Sequence, residues 1–579
     1  MCGIGGILTN FKCDSHSEAG QMASALRHRG PDNTGFWHSD KLVLLHTRLS
    51  IIDLSESGNQ PMLDSSGRYI IVFNGEIYNY QEIKETLTNF GIKFKSQTDS
   101  EVLLESYKYW GVDCLMHFNG MFAFAIWDTV NSTLFLARDR FGEKPLFYTL
   151  QRSKFYFASE IKAFWAAGIR TSFNHQRWKN YSNWELQFKD SPSETFYDDI
   201  FQLEQGCYAT VTPDLKVVKT RYYNPGFGIQ SIGKEQAASR FRELLTDSIK
   251  IRMRSDVKIG SSLSGGLDSS SIVALLSEMI TVPMETFSAR FNNFQKDEGR
   301  YIEIIGNSFR NINLNYTWPA GNEFAEDIDK IIYTQEEPFK SSSIYAQWRV
   351  MELARRKGIK VLLDGQGADE ILAGYLHYYR TYINYLFLNG KIYKAIKEQK
   401  QFKNLRNSKP PASGSSYFYH FLKILRSFGL QKNCTPSLRD MLYKDTFKGG
   451  LHTLLRYADR NSMAHSREVR LPFLDHRLVE FVFSLPDEMI LKDGWTKWIL
   501  RESMDQILPS EITWRVDKIG YETPQSDWID KILSKRDIQL VDEYLKDNHL
   551  EKLSSKLSIW DKLMVNKFGV ESSAMNQSI

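Results

Sequence analysis

Residues 257–276 constrain the chain more than any other stretch. They run VKIGSSL, SGGLDSS and SIVALL without a break. The first segment suits a short buried strand, the second a Gly-rich turn, the third an apolar helix. Gly265 and Gly266 carry no Cβ, so the backbone of the turn can close on an anion. N–H groups at the start of the following helix lack intrahelical partners and face such a ligand. Ser264, Ser269 and Ser270 add hydroxyl donors. Asp268 repels a bare phosphate, so a divalent cation is expected to bridge the two. The turn lacks the Gly-Lys-Ser/Thr ending of the common P-loop. An ordinary Ser/Gly turn is the alternative, and the strand–helix setting argues against it.

The downstream sequence continues the pattern. Strand-like 284–291, an amphipathic helix over 297–309, a helix over 344–357 and strand-like KVLL at 360–363 follow in order. KVLL opens into DGQGADE at 364–370. Alternating strands and helices predict a doubly wound parallel sheet, with ligands at the carboxyl ends of its strands. Both 264–270 and 364–370 follow strands, so both can line one ligand site.

The 579 residues are more than one such unit needs, and the N-terminal part reads differently. Cys2 follows Met1 directly. Removal of Met1 would give Cys2 a free α-amine, which titrates at about 7.7–8.0 and can serve as base for its own thiol. HRGPD at 28–32 is a turn with charges around it. Arg48 starts the strand-like RLSIID at 48–53. Its planar fork suits a carboxylate, although a surface arginine fits the same position. Arg68 reads as a solvated cation. A strand over 69–73 runs into FNGEIYN at 73–79, where the Asn74 amide and the Gly75 N–H can form an oxyanion hole; a plain Asn-Gly turn is the other reading. TDSE at 98–101 opens a helix, with Asp99 either a functional acid or its N-cap. Runs at 121–127, 133–137, 145–150 and 154–158 read as consecutive antiparallel strands. Further strand-like runs lie at 207–211 and 215–223, a linker at 224–228, and a helix over 234–251.

Charge and cysteine content exclude several classes. Seventy-three basic and 69 acidic residues nearly balance, at +4, which gives no argument for nucleic acid or membrane partners. Small-molecule substrates are expected instead. Five scattered cysteines form no C-x-x-C pair and point to a reducing, cytoplasmic setting. No apolar run approaches the length of a membrane span.

Met-Cys-Gly-Ile, HRGPD, RLSIID, FNGEIYN, TDSE and RDRFGEKPLFY (138–148), in that order, resemble the glutaminase domain of N-terminal-nucleophile amidotransferases. Joined to SGGLDSS, a turn similar to the pyrophosphate loop of enzymes that split ATP into AMP and pyrophosphate, they resemble the glutamine-hydrolysing asparagine synthetase family. The resemblance covers most of the chain. It implies an αββα-sandwich glutaminase domain over 1–223 and an ATP-pyrophosphatase-like synthetase domain over 234–540. A C-terminal helical extension and tail would occupy 541–579. It implies that Cys2 attacks glutamine and that Asn74 and Gly75 hold the oxyanion. Arg48 would bind the α-carboxylate, with Leu49, Ser50, Ile51 and Ile52 lining the pocket, and Glu76 and Asp99 would face the α-amine. In the synthetase domain, Leu263, Ala289, Asp364 and Gly365 would contact ATP. Asp268 and Asp369 would hold Mg2+, and Lys497 would face the phosphates; a solvent-facing helix lysine is the competing reading. Ammonia would pass through the interior to an acyl-adenylate, aspartate being the default acceptor and asparagine the product. A homodimer is a candidate assembly.

One position departs from the family. Its members usually show Ser-Gly-Glu-Gly where this chain has Asp364-Gly365-Gln366-Gly367. Gln366 cannot accept a proton as a glutamate can. Another carboxylate, such as a sugar acid of a surface polysaccharide, is therefore an alternative acceptor. A catalytically silent binding protein is the rival from another class. DRNSM (459–463) and EVRLPFLD (468–475) also look family-like and read as structural ion-pairing segments. The basic stretch 391–432 reads as a solvated helix ending at Pro410-Pro411, and 569–579 as a frayed tail.

Overall fold

The computed structural model describes residues 1–12, 14–181, 193–406, 436–517, 520–547 and 557–570. Cys13, Cys434, the 407–432 part of the basic stretch with Pro410-Pro411, and the tail beyond 570 lie outside them.

Strand periodicity builds the N-terminal layers. In Gly3–Thr9, Ile4 and Leu8 face one way and Ile7 the other; Leu42 and Leu44 alternate with Val43 and Leu45 in Leu42–Arg48. Period two with both faces apolar describes a sheet covered on both sides. One antiparallel sheet runs, in spatial order, Phe201–Gln202, Phe147–Gln151, Lys154–Ala158, Gly3–Thr9, Leu42–Arg48, Asn33–His38. A second runs Val217–Arg221, Cys207–Val211, Thr133–Arg138, Gly120–Asp128, Tyr69–Ile77, Met62–Leu63. Ile4, Leu8, Leu44, Ile70, Val72 and Ala125 fill the space between them. Helices His16–Leu26 and Lys162–Ala166 cover the outer face of the first sheet, and Tyr80–Asn89 and Asp99–Trp110 cover the second. This is the expected αββα sandwich.

The four strand-like runs after residue 120 do not form one consecutive series. Gly120–Asp128 pairs with Thr133–Arg138 in one sheet, and Phe147–Gln151 pairs with Lys154–Ala158 in the other. The turn between them crosses the sandwich and is held by side chains. Asp139 Oδ1 accepts from the N–H groups of Phe141, Gly142 and Glu143 at 2.7–3.0 Å, and Oδ2 from Lys144 at 3.0 Å. Arg138 donates to the carbonyls of Gly142, Lys144 and Leu203. Arg68 is not simply solvated either: it grips Asp128 through two bonds, at 3.0 and 2.7 Å.

A chain without regular secondary structure over 222–233 leads to the helix Lys234–Arg252. The C-terminal sheet is wholly parallel, in the order Ile312–Thr317, Met284–Ala289, Ile259–Ser262, Val361–Leu363, Glu468–Arg470. Its order reverses direction between Ile259–Ser262 and Val361–Leu363. A doubly wound sheet opens its ligand crevice at that switch point, and the two loops read from the sequence leave from these two strands. Helix Ile392–Arg406 begins the basic stretch, but it buries Ala395, Glu398 and Phe402, and Glu398 accepts a hydrogen bond from the Tyr379 hydroxyl. Helix Lys535–Asp547 runs across position 540. Among the described residues no helix is long and apolar enough to cross a membrane.

Candidate active sites

The first site sits where the strand beginning at Gly3 meets the middle of Tyr69–Ile77. Asn74 and Gly75 lie inside that strand rather than in a turn. A Cβ on Gly75 would lie 2.1 Å from the Met121 carbonyl oxygen of the paired strand, so glycine is required there. The Cys2 N–H donates to Asn74 Oδ1 at 3.0 Å, and Arg29 Nε holds the Cys2 carbonyl at 2.9 Å. The Asn74 Nδ2 is buried with no partner among the described residues. Such an orphan donor is costly unless a ligand oxygen completes it.

A small pocket beside Cys2 is lined by Arg48, Leu49, Ile51, Ile52, Gly75, Glu76 and Asp99, among others. Ser50 and Asn74 adjoin it without lining it; the Ser50 N–H donates to Asp32 at 2.9 Å. Arg48 is engaged differently from a free clamp. Its Nη1 donates to the Ser55 carbonyl and Asn59 Oδ1, and its Nη2 to the carbonyls of Ile52 and Asp53. As arranged, it offers a carboxylate its charge and Nε; a two-pronged grip needs the 52–59 loop to release it. Gly58 belongs to this arrangement, since a Cβ there would lie 2.0 Å from Arg48 Nη2.

Thr98, not Asp99, caps the helix, accepting from the Glu101 N–H at 3.1 Å. Asp99 is left as a buried acid that accepts from the Ile77 N–H at 3.0 Å. Burial pushes its carboxyl up to about 6 against the pull of that N–H. Burial, with the charges of Glu468 and Asp99, also pushes Glu76 well above the carboxylate range. Burial raises the Cys2 thiol, while the terminal amine, the Leu49 N–H and Arg48 pull it back. Such a thiol needs a base to become a nucleophile.

The second site is a cavity of about 360 Å³ at the switch point of the parallel sheet. Leu263, Ser264, Gly266, Asp268, Ser269, Asp364, Gly365, Gln366, Asp369 and Lys497 all line it; Gly265, Ser270 and Ala289 lie outside its wall. Gly265 adopts φ +76°, and a Cβ there would lie 2.8 Å from Tyr301 Cβ. Ser264 and Ser269 brace the turn: Ser269 Oγ accepts from the Ser264 N–H at 3.1 Å, and Ser264 Oγ from the Gly266 N–H at 3.3 Å. Asp364 Oδ1 accepts from the Gln366 N–H at 3.0 Å, and burial, then the charge of Asp268, raise its carboxyl.

Lys497 is neither helical nor solvent-facing. It takes φ +53° just before helix Trp498–Met504 and is 4% exposed. Its Nζ reaches Asp268 and Asp369, both at 2.5 Å at closest. Two carboxylates thus converge on one cation. Hard oxygen donors meeting at a point beside a phosphate turn fit Mg2+, which keeps waters and phosphate oxygens as its remaining ligands. Asp268 and Asp369 would hold it.

No motif points to Ile512, Arg515, Val516, Asp517, Gly520 and Tyr521, which also line the cavity. Arg515 pairs with Glu298 at 2.8 Å and lies over the Tyr301 ring, 3.6 Å from its centroid; burial pushes Glu298 up to about 7, against the pull of Arg515. No short motif marks either residue. EVRLPFLD and DRNSM do carry ion pairs, and these tie the two sites together. Glu468 binds the Met1 ammonium at 3.0 Å and Arg470 Nε at 2.6 Å; Arg470 Nη2 lies 3.4 Å from Glu76. Burial works against its charge, yet the ammonium and Arg470 keep Glu468 below the usual range. The Arg470 carbonyl accepts from the Asp364 N–H at 3.0 Å. One three-residue strand therefore touches the acid of the first pocket and the loop of the second.

Comparison with known proteins gives a family for each part of the chain. Residues 1–223 match the family described as glutamine amidotransferase domain, and residues 240–577 the family described as asparagine synthase. Asparagine synthetase [glutamine-hydrolyzing] 1 of Bacillus subtilis is 28% identical over 612 residues, covering 97% of this chain and 96% of its own. Asparagine synthetase [glutamine-hydrolyzing] 3 of the same organism is 29% identical, covering 96% and 95%. Amidase chry2 of Gibberella zeae is 27% identical, covering 93% and 92%. With the asparagine synthase match alone spanning more than half its length, the chain belongs to the asparagine synthase family, with a glutamine amidotransferase domain in front.

Proposed function

We propose that this amidotransferase of the asparagine synthase family hydrolyses glutamine at Cys2 and uses the nitrogen to amidate a carboxylate activated by Mg-ATP. With Met1 removed, the Cys2 α-amine takes the thiol proton and the sulfur attacks the glutamine side-chain carbonyl; ammonia leaves, and water hydrolyses the resulting thioester to glutamate, while the Asn74 amide and Gly75 N–H hold the oxyanion. Asp99 and Glu76 receive the α-ammonium, and Arg48 balances the α-carboxylate. In the second cavity the acceptor carboxylate displaces pyrophosphate from ATP. Lys497 takes up phosphate charge; Asp268 and Asp369 would hold Mg2+, which would supply further charge neutralisation there. Ammonia then replaces AMP on the acyl carbon. The observation that carries this reading is the pairing, in one chain, of an orphan amide beside Cys2 with two carboxylates converging on Lys497 beside the phosphate turn.

The names of the relatives suggest aspartate as acceptor and asparagine as product. Gln366 favours a second reading, amidation of another carboxylate. Equimolar glutamate, AMP and pyrophosphate from glutamine, Mg-ATP and a carboxylic acid would support the common reaction. Glutamate release with no ATP cleavage on any acid would contradict it.

A further inference from the structure

Helices Leu376–Leu388 and Ile392–Arg406 form a hairpin whose tip is apolar and exposed. The turn between them is Asn389-Gly390-Lys391, with Gly390 at φ +71°. The second helix packs inward by Ala395, Glu398 and Phe402. The Phe402 ring lies 4.8 Å from that of Tyr379, whose hydroxyl donates to Glu398. With about 3.6 residues per turn, the opposite half carries Tyr393, Ile396, Lys397, Lys400 and Lys403. Tyr393 is 85% exposed, Ile392 55%, Ile396 53% and Leu388 43%. Single exposed apolar residues are ordinary on a surface, whereas four around one turn mark a contact.

Cations flank this tip. Lys391, Lys400 and Lys403 are exposed and have no ion-pair partner among the described residues. Lys394 and Lys397 meet Glu488 and Asp493 at 3.1 and 3.4 Å, but all four side chains are more than a third exposed, where such pairs contribute little. Arg406 turns inward, over the Phe402 ring and onto the Gly494 carbonyl. The near-balance of charge over the whole chain thus hides a local positive surplus at one hairpin.

The surplus needs an anionic partner. Residues 407–432, which continue the chain from Arg406, add Lys409, Lys423, Arg426 and Lys432 and no acidic residue, so they bring no counter-charge. Nucleic acid would use the lysines but has no place for Leu388, Ile392 and Ile396. An anionic bilayer uses both. Apolar side chains enter the boundary between headgroups and acyl chains, a tyrosine sits at that level, and lysine stems lie along it with their ammonium groups on the phosphates. The tip is also well placed for such a contact. Tyr375, which lines the ATP cavity, directly precedes the first helix, and that helix's 13 residues carry the tip about 20 Å from the cavity.

We propose that this hairpin tip docks the protein onto an anionic phospholipid surface. Leu388, Ile392, Tyr393 and Ile396 enter the interface, and Lys391, Lys397, Lys400 and Lys403 meet the headgroups. The contact is peripheral and holds whichever acid is amidated.

The test is co-sedimentation of the full-length protein with two kinds of vesicle, pure phosphatidylcholine and an equimolar mixture of phosphatidylcholine and phosphatidylglycerol. Binding to the anionic vesicles should exceed binding to the neutral ones by at least about tenfold and weaken with added salt. A triple variant, Ile392→Ser, Tyr393→Ser and Ile396→Ser, tests insertion. A double variant, Lys400→Glu and Lys403→Glu, tests charge. Each should lower binding to the anionic vesicles by at least about tenfold. Glutamine hydrolysis should stay unchanged in both and reports their folding. Equal binding to the two vesicles overturns the proposal, as does either folded variant binding like the wild type. No binding to either vesicle also overturns it and leaves the tip to an acidic protein.

Discussion

At the scale of single residues, Cys2 and Asp99 carry the glutamine chemistry proposed above. Cys2→Ala should lower glutamine hydrolysis by at least about 10³-fold while ammonium-driven pyrophosphate release persists; glutamate and pyrophosphate assays on the same preparation check this. Asp99 gives a pH dependence with a fixed sign. Its carboxyl is pushed up to about 6, so it is ionised above that pH and neutral below it. Only the ionised form attracts the glutamine α-ammonium. KM for glutamine should therefore rise about tenfold per pH unit below about 6, and Asp99→Asn should show a high KM with that dependence gone. Initial-rate profiles in both proteins decide the point. Cys2, Asn74 and Asp99 were all legible in the sequence because each lies in a short motif. The tethering of Arg48 was not, because its partners are three backbone carbonyls and the Asn59 side chain of a loop whose shape no motif encodes.

At the scale of elements, the turn 264–270 and the strand Glu468–Arg470 matter most. Asp268→Asn removes half of the carboxylate pair that converges on Lys497. Pyrophosphate release should fall by about 10²-fold or more with either nitrogen source, while glutamine hydrolysis survives. Unchanged ATP turnover would make the turn a structural feature only. The strand–turn–helix unit could be read from residues 257–276 alone, since apolar runs and glycines specify it locally. The split of the strands after Gly120 between two sheets could not. It depends on Asp139 gathering four backbone N–H groups in the intervening turn, a three-dimensional arrangement that mimics a hairpin in sequence. Lys497 was ambiguous for a related reason: a left-handed residue at a helix start looks, in sequence, like the helix itself.

At the scale of the whole molecule, buried ion pairs join the sandwich to the parallel-sheet unit. Arg29 meets Asp459 and Glu160, Arg460 meets Glu336, and Glu336 accepts from the N–H groups of Ile161 and Lys162 at 3.1 and 2.7 Å. Removing one member strands the others without solvent. Asp459→Ala should therefore destabilise the protein by about 3–5 kcal/mol, read from denaturant unfolding, whereas the exposed pair Lys12–Asp40 should contribute little when removed. These partners lie hundreds of residues apart, so DRNSM could be read as an ion-pairing segment while its partners stayed hidden. The network also places Cys2 and the ATP cavity in one connected structure, and the central claim is that nitrogen passes between them. The most direct measurement supplies glutamine labelled with 15N in its side-chain amide together with unlabelled ammonium in the medium, using whichever acid supports pyrophosphate release. Mass spectrometry of the amide product should show the 15N label retained in wild type and lost in Cys2→Ala. A wild-type product carrying unlabelled nitrogen in proportion to the ammonium in the medium would contradict the account.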